Sequence, residues 1–162
     1  MRLVIIRHAI AVPRGTPDIP DDQRPLTDRG RKRFQRAARG LVAVVKRPNA
    51  LLSSPLPRAR ETAEIAALAW GKVEVGETPA LAGGTFEELA LALAGFGAND
   101  TVAIVGHEPD VSELIARLLG TPHNDRLTFR KGGAALVDVP GPLPEGGTLV
   151  WYMPPRVLRA LA

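Results

Sequence analysis

A single α/β domain with a mostly parallel central sheet, helices on both faces and a C-terminal antiparallel hairpin at the sheet edge is the predicted fold. Three observations lead to it. The chain has 162 residues, 45% hydrophobic and 23% charged, the length and balance of one globular domain that can bury roughly 68–70% of its extended surface. Short apolar runs alternate with amphipathic stretches over the first two-thirds of the chain, the pattern of parallel strands joined by crossover helices. After Gly120 the pattern changes to two alternating runs separated by a Pro/Gly-rich turn, the signature of a hairpin. No repeat or composition shift divides the chain, so residues 1–162 read as one domain.

Leu3-Val4-Ile5-Ile6 is a short, fully apolar strand that stops at Arg7-His8. A helix from about Thr27 to Lys46 follows. Phe34, Ala37, Ala38, Leu41, Val42 and Val45 form its apolar stripe, and Arg29, Arg31, Lys32, Arg33, Arg36 and Arg39 occupy its other faces. Ala50-Leu51-Leu52 is a second buried strand, and a helix runs from Pro55 to about Trp70. Val73-Glu74-Val75 reads as a further strand, Phe86–Leu93 as a third helix, Thr101–Val105 as a buried strand and Pro109–Leu119 as a fourth helix. Ala134–Val139 and Thr148–Tyr152 form the hairpin around the turn from Pro140 to Gly147.

The absence of cysteine excludes disulfides, iron–sulfur ligation, thiolate zinc sites and a cysteine nucleophile. It is compatible with a reducing compartment. The apolar run Leu3–Ile6 is too short for a signal-peptide core or a membrane span, so the expected location is the cytoplasm and no membrane partner is expected. Residues 1–60 hold 14 Lys/Arg against 4 Asp/Glu, whereas residues 61–162 hold 7 against 13. The N-terminal part therefore attracts anions.

Open α/β sheets bind ligands beyond the carboxyl ends of their strands, where loops meet helix N-termini. Three predicted strands deliver polar groups there: Arg7-His8 from the first, Ser53-Ser54-Pro55-Leu56-Pro57-Arg58 from the second, and Gly106-His107-Glu108-Pro109 from the third. Pro55 and Pro109 suit first helical turns, which sets Arg58 and His107 beside free backbone N–H groups. Two guanidiniums and two imidazoles converging on helix N-termini suit a phosphoryl group.

These segments resemble the histidine phosphatase superfamily, the phosphoglycerate-mutase-like enzymes. The resemblance lies in L-V-I-I-R-H-A at Leu3–Ala9, in Arg24-Pro25-Leu26-Thr27 followed by Gly30, in Ser54-Pro55-Leu56-Pro57-Arg58-Ala59 with Thr62-Ala63, and in Val105-Gly106-His107. The short chain, His107-Glu108-Pro109 and the ending Trp151-Tyr152-Met153-Pro154 are most similar to the SixA-type phosphohistidine phosphatases. The resemblance implies a metal-independent, cofactor-free phosphatase in which His8 is the nucleophile and forms a covalent phosphohistidine. Arg7, Arg58 and His107 would stabilise the transferring group, and Arg24 would bind substrate or else pair with Asp21, Asp22 or Asp28. Its substrate would be a phosphorylated protein or a small phosphoester.

Glu87, followed by Glu88, is the candidate acid for an alkoxide leaving group, a function that SixA-type proteins lack at the equivalent place. A phosphoramidate leaving group needs less help, because its imidazole can already carry a proton. His123, within the turn-like Thr121–Asn124, reads as structural or solvated, and Lys131 as a loop lysine. The short segment from Ala9 to Gln23 predicts an open site without a cap. A separate reading makes the arginine-rich helix a module for nucleic acid or an acidic partner. Nucleic acid is not expected, since 4% aromatic residues provide few stacking platforms.

Overall fold

Leu3, Val4, Ile5 and Ile6 are fully buried, and the strand they form, β1 (Arg2–Arg7), lies inside a six-stranded sheet with helices on both faces. The computed structural model describes residues 1–121 and 126–162. The remaining strands are β2 (Ala50–Ser53), β3 (Val75–Glu77), β4 (Thr101–Gly106), β5 (Ala134–Asp138) and β6 (Thr148–Met153). Their order across the sheet is β3-β2-β4-β1-β5-β6. The pairs β3/β2, β2/β4 and β4/β1 are parallel, and β1/β5 and β5/β6 are antiparallel. The sequence-predicted α/β class and edge hairpin are therefore present.

Helices α1 (Asp28–Val44), α2 (Pro57–Ala69), α3 (Phe86–Leu93), α4 (Asp110–Leu118) and α5 (Pro155–Ala160) complete the fold. Alternation along β1 and β4 divides the core into two layers. Val4, Ile6, Ala103 and Val105 pack with Phe34, Leu41 and Leu158 beneath α1, α2 and α5. Leu3, Ile5, Val102 and Ile104 pack with Leu89, Leu93 and Leu114 beneath α3 and α4. Each buried aliphatic side chain stabilises the fold by about 1.5–3 kcal/mol, and a charge on either face of these strands would have no solvent to meet. No helix among the described residues is long and apolar enough to cross a membrane.

Several boundaries differ from the expected ones for identifiable reasons. Helix α2 begins at Pro57 rather than Pro55, because Ser54 Oγ accepts the Leu56 N–H (3.2 Å) and Leu56, preceding a proline, is extended (φ −68°, ψ 136°). Strand β3 starts at Val75 rather than Val73, since the Val73 N–H still caps the carbonyl of Ala67 at the end of α2. Val42, assigned to the apolar stripe, is exposed on α1. Helix α3 has its expected limits, with a Thr85/Glu88 capping box that satisfies two end groups reciprocally.

Helix α5 has no counterpart in the sequence reading, because one and a half turns carry too little periodicity to register. It rests on α1 at Gly40. A Cβ built there would lie 1.8 Å from the Leu158 carbonyl oxygen, so the two backbones touch only because the side chain is absent. Gly40→Val is expected to displace α5 and lower stability by about 1–3 kcal/mol, read as a lower denaturant midpoint. An unchanged midpoint would contradict this packing.

Candidate active site

The three adjacent parallel strands β2, β4 and β1 end side by side, and the segments that follow bring Arg7, His8, Arg58 and His107 to one concavity. The imidazole centroids of His8 and His107 are 5.0 Å apart, tilted by 49°. A single tetrahedral anion is small enough to touch both. His8, Arg58 and His107 are buried and Arg7 is half-buried.

Each group is held by its neighbours. The His8 Nδ1–H donates to the Ala9 carbonyl (2.7 Å), and a carbonyl can only accept. The neutral ring therefore carries its proton on Nδ1 and its lone pair on Nε2. The backbone behind it is fixed by the His8 N–H donating to Gly106 O (3.0 Å) and the Ala9 N–H donating to Thr62 Oγ1 (3.0 Å), whose hydroxyl donates to Arg58 O. Thr62 thus links the end of β1 to the first turn of α2, a role its presence in the motif did not reveal.

Ser54 Oγ accepts from the Leu56 N–H and is also hydrogen-bonded to His107 Nε2 (2.8 Å). Arg7 donates through Nη1 to the Phe129 carbonyl, and Arg58 through Nη1 to the Asp21 carbonyl (2.8 Å). Among the described residues, the buried side-chain nitrogens without a hydrogen-bond partner are Arg7 Nε, Arg58 Nε and His107 Nδ1. All three belong to the predicted constellation. Buried polar nitrogens of this kind cost about 1–3 kcal/mol each when unsatisfied.

Burial pushes the His8 pKa down to about 3, helped by His107, Arg58 and Arg7 and opposed by the Ala9 hydrogen bond. Burial also lowers His107, to about 4, with Arg58, Arg24 and Arg7 adding to the effect and Asp21 opposing it. Both rings are neutral at pH 7. The unfolded chain takes up these protons near pH 6.5 whereas the folded chain does not, so their contribution to stability is complete above about pH 6.5 and is lost as pH falls toward the folded values. The unfolding free energy is expected to fall between pH 6.5 and 5 by up to about 1.4 kcal/mol per pH unit for each histidine, read as a lower melting temperature. A His8→Gln/His107→Gln variant should show a shallower fall over the same interval, and equal slopes would contradict the assignment.

Arg24 is buried. Its Nε donates to Asp21 Oδ1 (2.9 Å) and its Nη1 to the Val12 carbonyl (2.7 Å), so it pairs with Asp21 while its charge still reaches His107. Lys131, read from sequence as a loop lysine, lies close enough to Arg7, Arg24 and Arg58 that their repulsion adds to burial in lowering its pKa. The Arg130–Gly133 turn positions it. The Gly132 N–H, in a left-handed backbone (φ 77°), donates to the carbonyls of Arg7 and His8, and the glycine pair after the lysine was the available signal. Glu87 Oε1 accepts from Arg117 Nη2 (2.7 Å), and Glu88 is taken up by the cap of α3. Pro109 is the cap residue of α4 rather than its first-turn residue. His123 lies outside the described residues. Among the described residues, no group of three or more His, Asp or Glu is placed to hold a metal ion.

Fold and site together define a class of α/β phosphatases in which imidazole and guanidinium groups gather at the carboxyl ends of parallel strands. Residues 3–91 match the histidine phosphatase superfamily (branch 1), and the chain belongs to that superfamily. An uncharacterised protein of Picosynechococcus sp. is 34% identical, with 82% of each chain covered. The fold is similar to that of the protein histidine phosphatase SixA complexed with tungstate, with a TM-score of 0.82 and 27% identity, covering 98% of this chain and 99% of that one. It is also similar to that of the alpha-ribazole phosphatase of Shigella flexneri (TM-score 0.69, 22% identity, 96% of this chain and 97% of that one).

Proposed function

We propose that the chain hydrolyses phosphohistidine in a protein through a covalent phosphoryl intermediate on His8. The observation that carries this reading is the His8 ring itself: its Nδ1 proton is committed to the Ala9 carbonyl, and burial among cations keeps Nε2 unprotonated. An imidazole lone pair held free at neutral pH is a nucleophile ready for in-line attack. As the Nε2–phosphorus bond forms, the phosphorus–nitrogen bond to the substrate imidazole breaks, and that imidazole leaves as the neutral, protonated-nitrogen form. Water then attacks the phosphorus of phospho-His8, releasing inorganic phosphate and restoring the ring.

Phosphoryl transition states are loose, with charge on the equatorial oxygens, so positioned donors account for most of the catalysis. Arg7, Arg58 and His107 supply them, and Arg24 and Lys131 add positive field. The guanidiniums meet the charge that a metal would otherwise meet. The same scheme favours phosphorus–nitrogen over phosphorus–oxygen bonds. A hydrogen bond to its own backbone, with the Arg117 hydrogen bond adding to it, holds Glu87 below the usual carboxylate range, so at neutral pH it is ionised and has no proton to give an alkoxide, whereas an imidazole leaving group brings its own proton. The protein histidine phosphatase SixA among the structural neighbours supports the same substrate class.

Parallel assays on a phosphohistidine peptide, a phosphoserine peptide and sugar phosphates test the proposal. The expected result is a kcat/KM on phosphohistidine at least about tenfold above the others. A higher value on any phosphoester would transfer the assignment to small phosphomonoesters.

A further inference from the structure

Beside the active site lies a groove of about 790 Å³ whose charged lining, among the described residues, is Arg7, Arg33, Arg130, Lys131, Arg156 and Arg159, with no Asp or Glu. A second open groove continues from it over α1. Arg33 and Arg159 line both, and Arg29, Lys32 and Arg36 complete the second, again without a carboxylate. Elsewhere the chain pairs many of its surface arginines: Arg2 with Asp138, Arg31 with Glu61, Arg60 with Glu64 and Glu77, and Arg117 with Glu87. Among the described residues the strip beside the site has no such acidic partners, although Arg33 and Arg36 repel Arg159 strongly enough to reinforce the lowering of its pKa by burial.

We propose that this cationic strip is the docking surface for an acidic face of the protein that carries the phosphoryl group. The inference rests on the phosphoprotein reading above and adds how that protein is recognised. Its extent argues for a macromolecule. Arg29 to Arg36 alone covers about 10 Å along α1 at 1.5 Å per residue, beyond the reach of a phosphate ion or small ester seated at His8. Continuity through Arg7 places the acidic face and the phosphoryl group on one partner.

The array is also preorganised. Arg36 Nε donates to the Arg159 carbonyl (2.9 Å), joining α1 to α5, and Arg156 and Arg159 lie one turn apart on α5. The Tyr152 hydroxyl donates to the Thr128 carbonyl (2.8 Å) and accepts the Arg130 N–H (3.1 Å), fixing the loop at the mouth of the groove. Fixed cations facing an acidic surface accelerate encounter and set orientation. A protein fits better than a nucleic acid, because among the described residues Tyr152 is the one aromatic side chain lining the grooves and its hydroxyl is engaged, whereas single strands are held by successive stacking platforms.

The test compares two substrates of wild type, Arg33→Glu/Arg159→Glu and the milder Arg33→Gln/Arg159→Gln: a strongly acidic histidine-containing protein phosphorylated with phosphoramidate, and a short neutral phosphohistidine peptide. Charge reversal is expected to lower kcat/KM on the acidic protein about tenfold or more, neutralisation to lower it less, and both to leave the peptide within about twofold. Raising salt from about 50 to 500 mM should depress the wild-type rate on the protein and spare the peptide. Unchanged turnover of the acidic protein by both variants, or equal losses on the two substrates, would overturn the docking surface while leaving the phosphatase reading intact. Duplex DNA binding that the variants abolish, with protein turnover unchanged, would assign the strip to nucleic acid and overturn it as well. A wild-type protein inactive on the peptide would instead remove the phosphohistidine reading, and the docking proposal with it.

Discussion

Replacing His8 with alanine is expected to reduce phosphatase turnover by at least about 10³-fold, because the variant loses the only ring whose lone pair faces the reacting phosphorus in the proposed scheme. The remaining groups do not substitute for it. His107 sits 5.0 Å away, but its Nε2 is already engaged by Ser54. Arg7 and Arg58 remain able to bind phosphate, so the variant should still bind vanadate or tungstate, read as a rise in melting temperature, while failing to turn over. A second readout is independent of rate. Wild type mixed briefly with ³²P-labelled substrate and quenched in alkali should retain a label that acid removes, the behaviour of a phosphoramidate, and His8→Ala should retain none. Undiminished turnover by His8→Ala, or a labelled adduct persisting in it, would refute the nucleophile assignment. If wild type and variant were equally inactive but bound nucleic acid alike, the arginine-rich helix would become the functional element instead.

The parts of this site that were readable in the sequence are those where a short buried strand runs directly into a polar residue. Arg7-His8 and Gly106-His107 each follow a strand with no intervening loop, so strand order alone brings them together. Arg58 was readable because the proline before it fixes where α2 can begin, although it is Pro57 and not Pro55 that does so. The supporting contacts were hidden for a physical reason: they are made by backbone atoms or by residues with common alternative roles. The carbonyls of Asp21 and Phe129 hold the two arginines, and nothing in a side-chain sequence marks a carbonyl that will point inward. Thr62 and Ser54 look like ordinary helix and loop residues until the chain brings Ala9 and His107 against them. Lys131 acquires its environment from Arg7, Arg24 and Arg58, residues more than 70 positions away. Helix α5 was hidden because Gly40, the residue that admits it, reads within α1 only as a weak helix former.

Arg58→Ala is expected to lower kcat/KM by about 10²–10³-fold, corresponding to about 2.7–4 kcal/mol of lost transition-state stabilisation. The size follows from the surroundings of the guanidinium rather than from its charge. Burial lowers the Arg58 pKa, and the repulsion from Arg24 adds to that, so the fold places a cation where its own field disfavours one. A phosphoryl dianion reverses that balance. Arg60, two residues along the same motif, is the internal comparison. It is more exposed, bonded to Glu64 and Glu77, and removed from the imidazoles, so Arg60→Ala should change kcat/KM by less than about threefold, as expected for a surface ion pair. Arg58→Lys should recover only part of the loss. An ammonium keeps the charge but cannot hold the Asp21 carbonyl through Nη1 and leave a second N–H directed at the phosphoryl oxygens. Because the Asp21 contact also ties down the segment before α1, melting curves must accompany the rates. Equal rate losses in the position-58 and position-60 alanine variants, or full recovery by lysine at position 58, would mean that net charge rather than a placed donor drives the reaction.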